Sequence, residues 1–136
     1  MTASDRSSTF FAPHLALKIV GDGMAFYTRA FGAIELRRFS NDDGSVHVAE
    51  MEIGGALFHL HEEVSRTGEL SPRTLGGTSC VIGLFCPDPD KLFNQALAAG
   101  GREISPMQDY DYGYRQGTVA DPFGHLWLLQ RRVANA

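Results

Sequence analysis

Cysteine is scarce in this chain, with Cys80 and Cys86 the two among 136 residues. On one extended strand their Cα atoms would stand about 20 Å apart, whereas a disulfide needs less than about 7 Å. The spacing does not resemble a zinc pair either, so both read as reduced, structural thiols. Positive charge is also in short supply. Twelve Lys and Arg against sixteen Asp and Glu leave a net charge of −4. A nucleic-acid partner would want a basic stripe, and none is present. No apolar run approaches the ~20 residues of a membrane span. Met1–Phe11 is polar and holds no apolar core of signal-peptide length. Residues 1–12 therefore read as a flexible tail on a cytoplasmic protein.

What is present is ordinary in amount and regular in arrangement. The hydrophobic share of 43% suits a globular protein, and the length suits one domain or two small halves with a shared core. His14–Val20 alternates, with Leu15, Leu17 and Ile19 on one face. Gly21-Asp22-Gly23 breaks that strand, and Asp22 is placed to cap a helix running to about Phe31, stopped by Gly32. Strands are expected over Ile34–Ser40, Val46–Ile53 and Ala56–His61, the last two joined at Gly54-Gly55. Glu62–Gly77 has little apolar content and reads as a linker loop, functional or connecting.

The order then repeats. Ser79–Cys86 is an apolar strand; Asp88 and Pro89 open a helix that ends at Gly100-Gly101. Arg102–Ser105 is a short strand, and Pro106–Tyr112 a loop. A hairpin follows, with strands Gln116–Ala120 and His125–Gln130 around the turn Asp121-Pro122-Phe123-Gly124. Asp22 maps to Asp88, Gly32 to Gly100, Gly55 to Gly124 and His59 to Leu128, at offsets of 66, 68, 69 and 69. A near-constant offset marks an internal duplication. Residues 13–62 and 78–132 form the two halves, joined by 63–77. Each half has one sheet face under its own helix; the twin is the nearest candidate to cover the other.

Three stretches carry a resemblance: Phe26-Tyr27-Thr28-Arg29-Ala30-Phe31-Gly32-Ala33, Ala98-Ala99-Gly100-Gly101, and Tyr112–Gly117 followed by Asp121-Pro122-Phe123-Gly124-His125-Leu126-Trp127. Over about Pro13 to Arg132 the chain resembles the vicinal oxygen chelate superfamily of glyoxalases, bleomycin-resistance proteins and dioxygenases, most of all its PhnB-like branch. The resemblance implies an α+β fold of two paired βαβββ modules with curved mixed sheets enclosing a groove. It also implies a homodimer whose groove is often completed across subunits. In metal-dependent relatives the first and last strands of each module hold the metal. By that match His14 and His59 are the metal candidates of the first module. The second module offers Ser79 or Val81, and Leu128, none of them a good ligand.

His59 and His61 alternate on one strand, so they share a face, and His14 faces the same groove. Three converging histidines suit a divalent metal such as Zn, Ni, Fe or Mn; equally, they suit a hydrogen-bonded polar groove with no tightly bound ion. Glu62 and Glu63 could add an oxygen ligand or end the strand in solvent. Glu50 or Glu52 could act as a base or lie at the surface. Arg115 could clamp a carboxylate or phosphate at the groove mouth, or tie its loop to Asp109, Asp111 or Asp121. His125 reads as a structural bond of the hairpin, and Trp127 as packed under the second helix. The groove candidates are thus His14, His59, His61, Arg115, Leu126 and Leu128. The expected activity is binding of a small hydrophobic or planar molecule at a degenerate metal site. The alternative is a divalent-metal-dependent lyase, isomerase or dioxygenase.

Overall fold

The computed structural model describes residues 8–133. Of the expected tail, residues 1–7 lie outside the described residues. The first module comprises β1 (His14–Leu17), α1 (Val20–Phe31), β2 (Ile34–Ser40), β3 (Val46–Ile53) and β4 (Ala56–Glu62). A 3₁₀ turn (Ser65–Thr67) and the short helix α2 (Pro72–Leu75) occupy the linker. The second module comprises β5 (Val81–Phe85), α3 (Pro89–Ala98), β6 (Arg102–Asp109), β7 (Tyr114–Ala120) and β8 (Leu126–Arg132). Each module forms a four-stranded mixed sheet, ordered β1-β4-β3-β2 and β5-β8-β7-β6, with parallel pairing at β1–β4 and β5–β8.

Local chemistry explains most boundaries. Gly54 and Gly55 both take positive φ, the twist that a two-residue hairpin needs. Gly32 caps α1 in the left-handed region. Asp88 accepts from the Lys91 amide, with Pro89 in the first turn of α3. Three expectations need correction. Asp22 does not cap α1; the helix starts earlier, at Val20, and Asp22 lies inside its first turn, where a negative charge still meets the positive helix end. Gly23 is no breaker. A Cβ there would come within 2.4 Å of Leu17 Cδ1, so glycine lets α1 lie close on β1. The strand β6 also runs past Ser105 to Asp109, through Pro106. It is an edge strand with register shifts at Ser105–Gln108, which is where a sheet tolerates a proline lacking its N–H.

The helix-covered sides of the two modules merge into one core. Trp127 on β8 lies 5.4 Å from Tyr27, 4.8 Å from Phe31 and 5.9 Å from Phe58, all first-module rings (centroid distances). Gln95 Nε2 on α3 donates to the Ala30 carbonyl of α1 at 3.1 Å. At the centre is the carboxylate of Asp121. Its Oδ2 accepts from Trp127 Nε1 at 3.0 Å and from the Tyr27 hydroxyl; its Oδ1 accepts from the Phe123 and His125 amides at 2.9 and 3.0 Å. Burial, reinforced by Asp121, pushes the Tyr27 phenol well above its ordinary pKa. The twin does not cover the far side of each sheet. Every residue of β2 is exposed, and Phe39, Val81 and Phe85 are each about half exposed.

Replacing Asp121 by Ala strands buried donors on both modules. Urea unfolding is expected to show a loss of about 3–5 kcal/mol. Tyr27→Phe, which removes one donor and leaves the acceptor paired, is expected to cost about 1–2 kcal/mol.

Candidate functional site

The outer face of the first sheet gathers the histidines. Phe58 and Leu60 are buried on the helix side of β4, so His59 and His61 project from the other. The parallel register sets His14 beside His59 and Ala16 beside His61. The His14 ring centroid is 4.9 Å from that of His59 and 4.5 Å from that of His61. His61 is buried, and its Nδ1 donates to the Glu62 carbonyl at 3.0 Å, which turns Nε2 toward the linker. There Nε2 stands 3.6 Å from Glu69 Oε1. Donor atoms of His14, His61 and Glu69 all lie within 4.8 Å of one another. The three border a cavity of about 350 Å³, also walled by Leu70, Leu75, Cys80, Ile82 and His125.

The linker is a built lid over that cavity. Glu63 Oε2 accepts from the Ser71 amide at 2.8 Å, and Ser71 caps α2. Arg73 Nε donates to the Pro122 carbonyl at 2.7 Å, joining linker to hairpin. A Cβ on Gly124 would meet Pro72 Cβ at 2.8 Å, so the turn and α2 touch. Glu62 accepts from Asn41 at 2.7 Å and lies 3.0 Å from His47 Nδ1, away from the histidine cluster. Neither Glu62 nor Glu63 joins the cluster; the carboxylate that does is Glu69. Periodicity gives no hint of it, and the one signal in the sequence is the length of the loop.

The remaining candidates separate. Arg115 is on the helix side of its sheet, in the parity of Val119, and is not a groove residue. Asp90 holds it bidentately at 2.8 and 2.7 Å, and Asp109 takes a third bond at 3.0 Å. These carboxylates raise its pKa further and leave the guanidinium tied within its own module. His125 Nε2 donates to the Ala16 carbonyl at 3.0 Å, a bond between modules. Glu50 lies opposite His59 and pairs with Arg37 at 3.0 Å. Leu126 and Leu128 are half-buried on the outer face of the second sheet, in register with Val81 and Gly83. Cys80 and Cys86 are free thiols.

That register corrects the expected equivalence. His14 and His59 are offset by 69 from Gly83 and Leu128, so Gly83, and neither Ser79 nor Val81, is the twin of His14. Gly83 has no side chain, and a Cβ there would approach Gln130 Nε2 to 2.9 Å. Gln130 Oε1 in turn accepts from Gln116 Nε2 at 2.6 Å. The two-module metal site that the resemblance implies therefore does not fit this chain, since its second half offers no ligand atom at the equivalent positions, Gly83 and Leu128.

A second cavity, about 540 Å³, lies between the modules. Phe10, Leu57, Phe58, Ile82, Leu84 and Trp127 form much of its wall.

Two four-stranded mixed sheets built from a repeated βαβββ unit, with histidines on one outer face, define a class of small α+β proteins organised around a cleft. The chain belongs to the Glyoxalase/Bleomycin resistance protein/Dioxygenase superfamily, whose family model matches residues 15–129. An uncharacterised protein of Mycobacterium tuberculosis, Rv0887c, is 37% identical over 125 residues, covering 90% of this chain and 74% of the relative. The crystal structure of TioX from Micromonospora sp. ML1 superposes with a TM-score of 0.72 at 26% identity, covering 93% of this chain and all of TioX. The fosfomycin resistance protein FosX from Listeria monocytogenes, solved with Mn(II) and sulfate, shares the fold at a TM-score of 0.69 and 18% identity. That alignment covers 93% of this chain and 92% of FosX.

Burial, with His61 and His59 close by, holds the His14 pKa below its ordinary 6.5. The folded state therefore takes up this proton later than the unfolded chain as pH falls. The associated stability is present above 6.5 and is lost as pH drops through the folded value. The urea midpoint is expected to fall between about pH 7.5 and about pH 5.5, and His14→Gln to reduce that fall.

Proposed function

We propose that this protein binds a small hydrophobic or planar molecule between its modules and does not catalyse a metal-dependent reaction at the family's two-module site. The observation that carries this reading is the apolar cavity of about 540 Å³, a volume suited to a small organic ligand. Its wall combines branched aliphatics with the rings of Phe10, Phe58 and Trp127, which favour flat apolar surfaces. A homodimer fits the same reading. The outer faces carrying His59, Leu126 and Leu128 stay partly open in one chain, and a second copy would close them over a longer groove. Membership of the PhnB-like branch and a cytoplasmic location accord with this proposal. Among the described residues no helix is long and apolar enough to cross a membrane.

A divalent-metal-dependent lyase, isomerase or dioxygenase is the second reading. The grouping of His14, His61 and Glu69 favours it. The absence of ligand atoms at Gly83 and Leu128 weighs against it.

Trp127 is the single tryptophan of the chain and lines the cavity, so its emission reports on occupancy. Titration with the planar probe 8-anilinonaphthalene-1-sulfonate is expected to saturate, with energy transfer from Trp127. Leu57→Glu, which places a carboxylate in the wall, is expected to weaken binding at least about tenfold while the protein stays folded. Unsaturable binding, or equal binding by the variant, would refute the reading. Sedimentation equilibrium tests the dimer.

A further inference from the structure

We propose that His14, His61 and Glu69 form a divalent transition-metal site contained in the first module and its linker. It shares His14 with the two-module site implied by the family fold and differs from it in taking Glu69 from the linker and no ligand from the second module. The assignment concerns metal binding alone and does not depend on a ligand in the apolar cavity.

Distances support it first. Two ligands of a tetrahedral ion, each about 2.0–2.1 Å from it, stand about 3.4 Å apart. His61 Nε2 and Glu69 Oε1 are 3.6 Å apart, and the full set spans no more than 4.8 Å. The spread exceeds tetrahedral ligand spacing by about 1.4 Å at most.

The surroundings support it second. A ligating histidine ordinarily donates its other ring N–H to a carbonyl or carboxylate, which fixes the tautomer and frees the second nitrogen. His61 has that arrangement, with Nδ1 on the Glu62 carbonyl at 3.0 Å and Nε2 toward Glu69. Glu69 is also oriented: its Oε2 accepts from the Thr67 hydroxyl at 2.6 Å, which leaves Oε1 on the histidine side. The Val64–Glu69 bridge anchors the backbone behind it. Both side chains are thus held by neighbours that are not themselves ligands.

The chemistry supports it third. Two imidazole nitrogens and one carboxylate oxygen suit Zn²⁺ and its neighbours in the first transition row and are poor hosts for Ca²⁺ or Mg²⁺, which favour all-oxygen shells. Three protein ligands leave a position open, and the cavity of about 350 Å³ beside them has room for water or a small ligand there. His59 is excluded from the set although it neighbours His14. It lies two residues back along β4, and the grouped donor atoms do not include it.

The test uses untagged full-length protein, stripped with chelator and titrated with Co²⁺, then challenged with Zn²⁺. The expected result is one equivalent of Co²⁺ per chain, with visible d–d absorption, displaced by Zn²⁺. Glu69→Gln and His14→Ala are expected to weaken binding at least about tenfold, and His59→Ala to leave it within about twofold. His14 and Glu69 are exposed, so these variants should fold even where a change at buried His61 does not. A merely structural Glu69–His61 contact would let Glu69→Gln lower the melting temperature with no Co²⁺ spectrum to lose. No stoichiometric binding overturns the proposal, as does binding that His59→Ala abolishes and Glu69→Gln spares. The Leu57→Glu variant, carried through the same titration, should keep its metal, which separates this site from the apolar cavity.

Discussion

A buried carboxylate is costly unless its oxygens are fully occupied, and the fold is arranged to occupy those of Asp121. Two of its partners are amides of its own turn, which shape the hairpin locally. The other two are the Trp127 indole beside it and the Tyr27 hydroxyl from the other module. One residue therefore couples a local turn to a long-range docking. The aromatic cluster around Trp127 can close only when α1 is in place to deliver Tyr27. The core thus draws on both modules at once, despite a sequence that repeats.

Much of this was legible before the structure. Alternation located β3 closely, because Ala49, Met51 and Ile53 share its buried face, while the turn residues on either side bounded β2 and β4. The near-constant offset announced the duplication, since equivalent turns need equivalent residues. The first half of the candidate site followed from parity alone, with His59 and His61 opposite Phe58 and Leu60.

The remainder was hidden for identifiable reasons. Asp121 suits the first position of a turn, and nothing in its neighbourhood indicates that Oδ2 points inward to a tyrosine ninety-four residues away. Glu69 lies in a stretch with no period, so its partner is set by how α2 docks on the hairpin. Arg115 stands at the hairpin entrance, which left open both a clamp at the groove mouth and a tie to a loop aspartate, and the tie to Asp109 is the one it makes. Its parity with Val119 places it on the helix side, where Asp90 was available. In each case the deciding contact crosses between segments that sequence patterns treat separately.

The close fit of Gly83 against Gln130 bears on the history open to this chain. After a duplication the halves begin with equal opportunity, and either can lose or regain a functional side chain. Here the space at one of the two positions is already occupied by a neighbour. Any side chain at 83 must first displace Gln130, and Gln130 is engaged with Gln116. Gln130 Nε2 is the far end of a flexible side chain, so position 83 can be filled once that amide turns away from Gln116. The two modules thus differ in what their equivalent positions hold: histidines stand side by side at 14 and 59, while 83 and 128 pair a glycine with a half-buried leucine.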